Sequence, residues 1–418
     1  MKEPKIRFKG FRGEWETRHV GELCDVLTGF PFEGSKILPK GKELLMRGIN
    51  ITEGFIRHSE DIDRYYDEDS SMLSKYRLQE NDLVIGMDGS KVGKNSALVT
   101  KKEVNSLLVQ RVARLRNNNP HLIHLIQISL GSEKFFEYVD SMKTSSAIPH
   151  ISPSDIKNFV VSISVNDDEI KLVSDYFQHL DNLIQLTTKK IESLKQVKAA
   201  SLQSMFPQEG ETTPRVRFKG FEGEWENVLI GKMGVTYSGL SGKTKDDFGF
   251  GEARFITFLN VLTNAKIDTS ILEPVNVNRD EHQNEVRKGD LLFNTSSETP
   301  EEVGMCAVMD EKLENVYLNS FCFGFRVTDN NIDPTCVAYM MRSHVGRRIM
   351  SILAQGATRY NLSKNSFCKA VLVLPKNIAE QRAIASYFTN LDRQITLQSQ
   401  RLEKLKQIKA ACLDNMFV

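Results

Sequence analysis

The sequence is poor in the features that build metal sites and membrane anchors. Its six cysteines lie far apart in 418 residues, with no CxxC pair and none of the clustering that a zinc site needs. No apolar run reaches membrane-spanning length, and the opening MKEPKIRFKG lacks the apolar core of a signal peptide. We therefore expect reduced thiols, no metal, no membrane contact and a cytoplasmic location.

Charge of one sign is also scarce. The chain carries 55 lysines and arginines against 54 acidic residues, a formal net charge of +1. A protein that binds nucleic acid by itself often has a strong basic excess. Any nucleic-acid contact must therefore depend on local charge or on partner subunits. The shares of hydrophobic residues, 40%, and of charged residues, 26%, are those of a folded globular protein.

The stretch GMDGSKVGKNS, residues 86–96, comes nearest to a catalytic loop. For its GK pair to close a phosphate-binding loop, position 88 would be glycine and position 95 serine or threonine, but these are Asp88 and Asn95. A basic, glycine-bearing loop between two strands is the favoured interpretation. Such a loop can still contact DNA phosphates through Lys91, Lys94 and backbone amides.

Other catalytic patterns are isolated or missing. The run at residues 280–282, Asp-Glu-His, resembles a helicase box but has no phosphate loop to act with. His121 and His124 have no third metal ligand nearby in the sequence. There is no Asn/Asp-Pro-Pro-aromatic motif of an amino-methyltransferase and no glycine-rich cofactor loop. We therefore expect no catalytic residue and no cofactor in this chain.

What the sequence does contain is a tandem repeat. Residues Arg7–Glu16 read RFKGFRGEWE and residues Arg217–Glu226 read RFKGFEGEWE, so the only two tryptophans, Trp15 and Trp225, lie 210 positions apart. Self-similarity at this distance indicates a duplicated unit of about 210 residues. The glycines and aromatic residues of the motif favour a structural role at the start of each copy.

Each copy ends in a long helical pattern. Over residues 166–206, and again over residues 377–417, apolar or small residues recur at alternating spacings of three and four, which is typical of a coiled-coil seam. Equivalent polar residues interrupt both seams: Thr187 with Gln398, and Lys198 with Lys409. Polar seam residues lower stability but fix register and partner. The pattern therefore predicts two helices that were copied together with their irregularities.

The two helices also begin with the same signal. Asn166 is followed three residues later by Glu169, and Asn377 by Glu380, as an N-cap side chain and its reciprocal carboxylate require. A helix of this length spans roughly 55 Å. Because each helix needs a partner for its seam, the simplest prediction is that the two pair with each other.

Between motif and helix, each copy carries short strand-like runs, then helical patterns and one more buried strand. The runs are residues 44–51, 81–87, 96–100 and 107–115 in the first copy, and residues 253–261, 289–295, 305–309 and 320–327 in the second. This order predicts an α+β protein with two heads whose twisted sheets are largely antiparallel. We predict segments at 1–165 (first head), 166–206 (helix), 207–216 (linker), 217–376 (second head) and 377–418 (helix).

The repeated RFKGFxGEWE motif, the diverged heads and the helix endings LKQVKAA and LKQIKAA resemble the specificity subunit of type I restriction-modification systems. The resemblance covers essentially the whole chain. It implies a pseudo-twofold arrangement of two target recognition domains, with antiparallel helices in a coiled coil that act as a ruler. It further implies double-stranded DNA and two modification (methyltransferase) subunits as partners, and restriction or translocase subunits as additional ones. The methyl-donor cofactor would belong to the modification subunits.

The resemblance implies that each head reads one half of a split, asymmetric DNA site in successive major-groove faces. Candidate base-reading residues are polar side chains on loops. In the first head these are Arg47, Asn50, Ser90, Lys91, Lys94, Asn95, Ser145, Ser146 and His150. In the second head they are Thr257, Asn260, Ser296, Ser297, Glu298, Thr358, Arg359, Tyr360 and Asn361.

Two other classes of protein stay open on sequence alone. One is a coiled-coil scaffold with two protein-binding heads, which binding to duplex DNA in the presence of partner subunits would distinguish. The other is a restriction enzyme complete in one chain, which the missing methyltransferase and nuclease motifs disfavour.

Overall fold

The chain forms two compact units in a computed structural model that describes residues 3–89, 92–142, 150–278 and 280–417. The first unit comprises Met1–Thr187 and Arg401–Val418, and the second comprises Thr188–Gln400. Each unit therefore combines one motif, one head, the first half of the helix that follows this head, and the second half of the other long helix.

The first head follows the chain from a short strand to the long helix α5. Its elements are β1 Glu16–His19, α1 Val20–Leu23, β2 Asp25–Thr28, β3 Glu43–Met46, β4 Tyr65–Tyr66, β5 Leu83–Gly86, β6 Ser96–Leu98, β7 Leu107–Leu108, β8 Val112–Arg116, α2 Pro120–Leu130, α3 Glu133–Met142, α4 Pro153–Asn158, β9 Val160–Ile163 and α5 Asp167–Ser204.

Two small sheets build the first head. Four antiparallel strands lie in the order β2-β8-β5-β6, and a second sheet has the order β4-β3-β7, in which β3 and β7 are parallel. Strands β1 and β9 pair with each other next to the start of α5. The main core lies between the four-stranded sheet and α2, α3 and α4, with Leu83, Ile123 and Phe135 fully buried.

The second head repeats this arrangement with longer strands. Its elements are β10 Glu226–Leu229, α6 Ile230–Met233, β11 Gly234–Ser238, β12 Phe248–Ile256, α7 Phe258–Thr263, β13 Glu273–Val275, β14 Asp290–Asn294, β15 Ser296–Ser297, β16 Cys306–Val308, β17 Val316–Leu318, β18 Cys322–Val327, α8 Pro334–Arg342, α9 His344–Leu353, β19 Tyr360–Asn361, α10 Lys364–Cys368, β20 Val371–Leu374 and α11 Ile378–Met416.

The sheet orders of the second head match those of the first. Strands β11-β18-β14-β16 form the antiparallel sheet, β13-β12-β17 form the mixed one with β12 and β17 parallel, and β10 pairs with β20. The prediction of two largely antiparallel α/β heads is confirmed. The strand predicted at 253–261 is wrong in its second half, because β12 ends at Ile256. The Thr257 side chain accepts a hydrogen bond from Asn260 N and starts α7.

The long helices α5 and α11 run antiparallel wherever they pack within a unit. In the first unit the Tyr176 hydroxyl meets Cys412 Sγ at 3.4 Å and Lys409 Nζ meets Asp181 at 2.5 Å. In the second unit Lys198 Nζ meets Asp392 at 2.5 Å and Ser201 meets Tyr387. These contacts give the seam lysines a carboxylate partner on the opposite helix, and a shift of 211 residues interconverts the two ion pairs.

The RFKGFRGEWE motif fastens the start of α5. Arg7 donates from Nε and Nη2 to the two oxygens of Glu169 at 2.6 and 2.8 Å, and Trp15 Nε1 donates to Glu169 Oε2 at 3.2 Å. Arg7 also donates to the carbonyl of Gly13, which closes the motif on itself. The Glu169 side chain is fully buried, and these bonds give both of its oxygens and the indole N–H a hydrogen-bond partner.

We call this set of contacts among Arg7, Trp15 and Glu169 the clasp. It shows that the predicted capping arrangement is only partly right. Asn166 does cap α5, since its Oδ1 accepts from Asp168 N and Glu169 N. The Glu169 carboxylate, however, accepts from Arg7 rather than from the backbone of the N-cap residue. The backbone N–H of Asn166 donates to Ser164 Oγ instead.

The second copy repeats the arginine–glutamate pair of the clasp, whereas the buried Trp225 Nε1 has no hydrogen-bond partner among the described residues. Arg217 donates to both oxygens of Glu380 at 2.7 and 2.8 Å and to the carbonyl of Gly223, while the Asn377 side chain accepts from Ala379 N. Each tryptophan also meets the phenylalanine that follows a long helix, Trp15 against Phe417 after α11 and Trp225 against Phe206 after α5. The structural role predicted for the motif is what this geometry provides.

Removing one partner of the clasp should strongly destabilise its unit. We expect Glu169→Gln to lower the free energy of unfolding by about 3 kcal/mol, because breaking a buried ion pair leaves the other charge without compensation. The exposed pair Arg18–Glu22 is a matched control, and Glu22→Gln should cost less than about 1 kcal/mol. Thermal unfolding of the full chain measures both, and equal shifts for the two variants would contradict a stabilising clasp.

The clasp should also make stability depend on pH. Burial alone would raise the pKa of Glu169, but the hydrogen bonds from Arg7 and its neighbours outweigh burial and hold that pKa below its ordinary value. The stabilisation is therefore fully present above the unfolded-state pKa of about 4.3 and is lost as pH falls through the lower folded-state pKa. In Glu169→Gln, this acid-dependent part of the unfolding curve should disappear.

Candidate nucleic-acid interface

Several strands of the first head end at one edge, and the segments that follow them lie side by side there. Parallel β3 and β7 end at Met46 and Leu108, and Val109 N donates to the carbonyl of Met46 at 3.0 Å. Strand β5 ends at Gly86, and Met87 N donates to the carbonyl of Arg111 at 2.9 Å. We call the described segments 47–50, 87–89, 92–95 and 109–111, with His150, the loop edge of the first head.

The second head has the corresponding loop edge. Parallel β12 and β17 end together, since Asn319 N donates to the carbonyl of Ile256 at 3.1 Å, and Thr295 N donates to the carbonyl of Phe321 at 2.9 Å. Short strands β15 and β19 pair Ser296 with Asn361, as the bridge between Asp88 and His150 does in the first head. The loop edge of the second head comprises segments 257–260, 295–304, 319–321 and 358–361.

The loop edge of the first head collects the candidates that the structure describes there. Arg47 is half-buried, Lys94 is exposed with its Nζ 4.7 Å from the Phe136 ring centroid, and Asn95 is half-buried. His150 is about half exposed and binds Asp88. The remaining candidates Ser90, Lys91, Ser145 and Ser146 lie outside the described residues.

Two candidates are not available to a ligand, which corrects the sequence-based choice. Asn50 and Asn260 have 0% exposed area. Asn50 Nδ2 donates to Asp63 Oδ1 at 2.9 Å, while Asn260 Nδ2 donates to the carbonyl of Asp268 and its Oδ1 accepts from Asp268 N. Both amides satisfy buried backbone or carboxylate groups and so fix the turn after β3 or β12, rather than facing outward.

The candidates of the second head divide by exposure. Ser296 and Ser297 are buried, and Ser297 Oγ donates to Glu302 at 2.8 Å, so these serines shape the loop from inside. Arg359 is exposed, and its Nε donates to Ser296 Oγ at 3.3 Å. Thr257 is the α7 N-cap, and Tyr360 is half-buried against the head core. Glu298, Thr358 and Asn361 are exposed and remain predicted contacts.

Two half-buried arginines hold the second loop edge in place. Arg342 donates to the carbonyls of Cys306, Val261 and Asn264, and burial lowers its pKa. Arg347 donates to the carbonyls of Glu301, Val303 and Gly304, and burial lowers its pKa to about 10. Helices α8 and α9 therefore anchor the segments after α7 and β15 through main-chain oxygens, so loop side chains are left free to vary.

The sequence reasoning missed Arg111 and Phe321. They occupy equivalent places beside Met87 and Thr295, immediately before β8 and β18, and both are exposed. Arg111 has φ +71, in the left-handed region. Both residues lie inside strand-like runs of the sequence, residues 107–115 and 320–327, so nothing in the sequence marks them as loop residues; the structure instead ends β7 at Leu108 and begins β8 at Val112.

Within the described ranges, no group of three or more His, Cys, Asp or Glu side chains is arranged to hold a metal ion. Nor does any helix in the described part of the chain combine the length and apolar character needed to cross a membrane.

The fold and its two loop edges define a duplicated, two-headed α+β protein. A family model described as the type I restriction modification DNA specificity domain matches residues 12–196 and, a second time, residues 224–407. Because these matches cover more than half of the chain, the protein belongs to this family.

Individual relatives agree with this assignment. The type I restriction enzyme EcoAI specificity subunit of Escherichia coli is 28% identical over 191 residues, which are 45% of this chain and 31% of that protein. A protein of Methanocaldococcus jannaschii described as the MjaX specificity subunit is 24% identical over 201 residues, 46% of this chain and 45% of its own length. The matched region thus spans less than half of either relative.

A solved structure shows the same fold over the whole length. The crystal structure of the type I restriction-modification system S subunit from M. genitalium superposes with a TM-score of 0.63 at 15% identity. The match covers 100% of this chain and 99% of that one.

The amide of Asn260 should be a brace for the loop edge. We expect Asn260→Ala to destabilise residues 257–268 by about 1–3 kcal/mol, because both backbone groups of Asp268 lose their buried partner. Leu259→Ala, on the neighbouring 63% exposed side chain, is the control and should change stability by less than about 0.5 kcal/mol. Amide hydrogen exchange across this segment measures both, and unchanged protection in Asn260→Ala would rule out the brace.

Proposed function

We propose that this chain is the DNA sequence-specificity subunit of a type I restriction-modification complex, in which each head reads one half of a bipartite, asymmetric site. The observation that supports this is the pair of loop edges. The same strand ends and the same buried asparagine present different side chains: Asp88, Arg111 and His150 in one head, and Ser296, Phe321 and Asn361 in the other. The exposed groups are Arg111 and His150 in the first head and Phe321 and Asn361 in the second. Different exposed groups on a common framework suit two different half-sites.

Partners are part of the proposal. The chain binds double-stranded DNA together with two modification subunits, which carry the methyl-donor cofactor and the catalysis, and restriction or translocase subunits join the complex. A net charge of +1 leaves little long-range attraction for DNA and suits a subunit that relies on partners for phosphate contacts.

Exposed apolar residues on the long helices support docking of two identical partners. In the first unit Leu186 is 63% exposed to solvent and Ile408 39%, and in the second unit Leu397 is 51% exposed and Val197 46%. A shift of 211 residues converts one pair into the other. The same apolar surface thus occurs once in each unit, as a partner present in two copies requires.

Changing these residues should remove the modification subunits one at a time. Leu186→Asp is expected to leave one bound modification subunit and Leu186→Asp with Leu397→Asp none, because each change puts a charge into an apolar contact. Leu313→Asp, on a 38% exposed side chain in the second head, is the control and should keep both. Native mass spectrometry of the reconstituted complex reads out the stoichiometry.

The same preparations test the function itself. The complex with both modification subunits should bind and methylate one bipartite sequence, while the chain alone transfers no methyl group. Methyl transfer by the chain alone would contradict the proposal. A fully assembled complex that ignores duplex DNA would favour the scaffold with protein-binding heads.

The helices should set the length of the unread spacer. Four residues inserted after Thr187 and after Gln398, which are equivalent positions, lengthen each helix by roughly 6 Å and return each seam to nearly the same face. Since duplex DNA rises about 3.4 Å per base pair, the recognised half-sites should move apart by about two base pairs. Mapping methylated sites measures the spacer, and the same half-sites at the original separation would show that helix length does not set it.

A further inference from the structure

The geometry points to Arg111 as a base-reading residue of the first head, held by Asp88 and selecting a guanine in its half-site. This inference rests on the proposed function and names a residue that carries it. Arg111 Nη1 donates to Asp88 Oδ2 at 2.8 Å, and His150 Nδ1 donates to Asp88 Oδ1 at 2.5 Å. The Asp88 carboxylate therefore binds both Arg111 and His150, one on each oxygen.

Exposure separates the reader from its support. The Arg111 side chain is 65% exposed and the His150 side chain 49%, whereas Asp88 is only 20% exposed. Asp88 lies beneath the two and occupies one of the five guanidinium N–H groups that Arg111 can offer. Among the described residues, Asp88 is the hydrogen-bond partner of the guanidinium, whose other edge can face a planar, two-acceptor group. Guanine O6 and N7 in the major groove form such a group, and a bidentate arginine is the commonest specific contact to it.

The backbone of Arg111 supports a functional assignment. Its φ of +71 is unfavourable for a side chain with a Cβ, and glycine or asparagine would fit this turn without strain. Met87 N hydrogen-bonds to the Arg111 carbonyl at 2.9 Å, so the segment after β5 holds the turn in place. A strained position fixed by its neighbours and occupied by a long, exposed, ion-paired side chain is typical of a site kept for binding.

The second head shows what differs at the same place. Phe321 takes the position of Arg111, Ser296 that of Asp88 and Asn361 that of His150, so the arginine and the carboxylate are both replaced at these positions. The guanidinium nearest to Ser296 belongs to Arg359, which comes from another loop. The Phe321 side chain is 59% exposed and offers only apolar contact, such as with a thymine methyl group. The two half-sites should therefore differ at the base that faces this turn.

Selection of bound duplexes from a randomised pool, with the full chain and its modification subunits, tests the assignment. The wild-type complex should select a guanine in the first half-site, and Arg111→Gly should reduce that preference by roughly 5- to 150-fold while the second half-site stays unchanged. Glycine suits the positive φ, so this variant relieves the turn instead of straining it. Arg111→Lys keeps the charge but not the fork, and should lose the preference with less loss of affinity.

Three further variants make the outcome specific. Asp88→Asn should weaken the preference for the same guanine although Arg111 is still present, as expected of a positioning residue. Phe321→Ala should alter the base preference of the second half-site only. Arg18→Ala removes an ion-paired arginine on β1, away from the loop edge, and should leave both half-sites unchanged. An undiminished preference at every base of the first half-site in Arg111→Gly would overturn the role of Arg111. A wild-type complex without any sequence preference would overturn the proposed function as well.

Discussion

The fold depends on one buried ion pair that occurs twice, between the first arginine of each motif and a glutamate in the first turn of the following long helix. Arg7 and Glu169 are separated by 162 residues, and Arg217 and Glu380 by 163, so each pair closes an entire head into a loop. A fork of N–H groups facing two carboxylate oxygens also fixes direction. Because the clasp lies where head, motif and helix meet, it sets how each head is mounted on its helix.

This mounting explains which parts of the duplicated sequence could diverge. The arginine and glutamate of the clasp and the lysine and aspartate of the seam form the same ion pairs in both units, and these residues are identical. The loop edges lie at the other end of the strands, anchored by main-chain oxygens and by one buried asparagine in each head. Side chains exposed there can change without disturbing the hydrogen bonds that hold the segment. The groups that hold the loop edges in place are therefore different from the side chains exposed on them.

Sequence reasoning was most successful where periodicity and repetition coincide. The helices α5 and α11 were predictable because their seams repeat over many turns, and the alternation of strands in both heads was predictable from short β-branched runs. The strand boundary at Ile256 was not, since Phe258–Thr263 is as apolar as a strand and only the cap at Thr257 turns it into a helix. Local propensity does not decide such a choice.

The candidate site was harder to predict for a physical reason. Asn50 and Asn260 were chosen as polar residues on loops, yet both are fully buried and support the turn that follows a strand. Arg111 was missed because its special feature is a backbone angle, which depends on the hydrogen bond from Met87 and not on its own residue type.

The two tryptophan contacts join residues that lie at very different distances along the chain, so the two units assemble differently. Trp225 meets Phe206, which precedes it by little more than the linker, so this contact can form as soon as both residues leave the ribosome. Trp15 meets Phe417, and Arg7 lies in the same unit as the last turns of α11, so that unit waits for nearly the whole chain to be synthesised. Closing the longer loop costs more chain entropy and takes longer. The tryptophan contact of the second unit should therefore form first, whereas both units need α11 to cover their helix seams, the second up to Gln400 and the first from Arg401 onward.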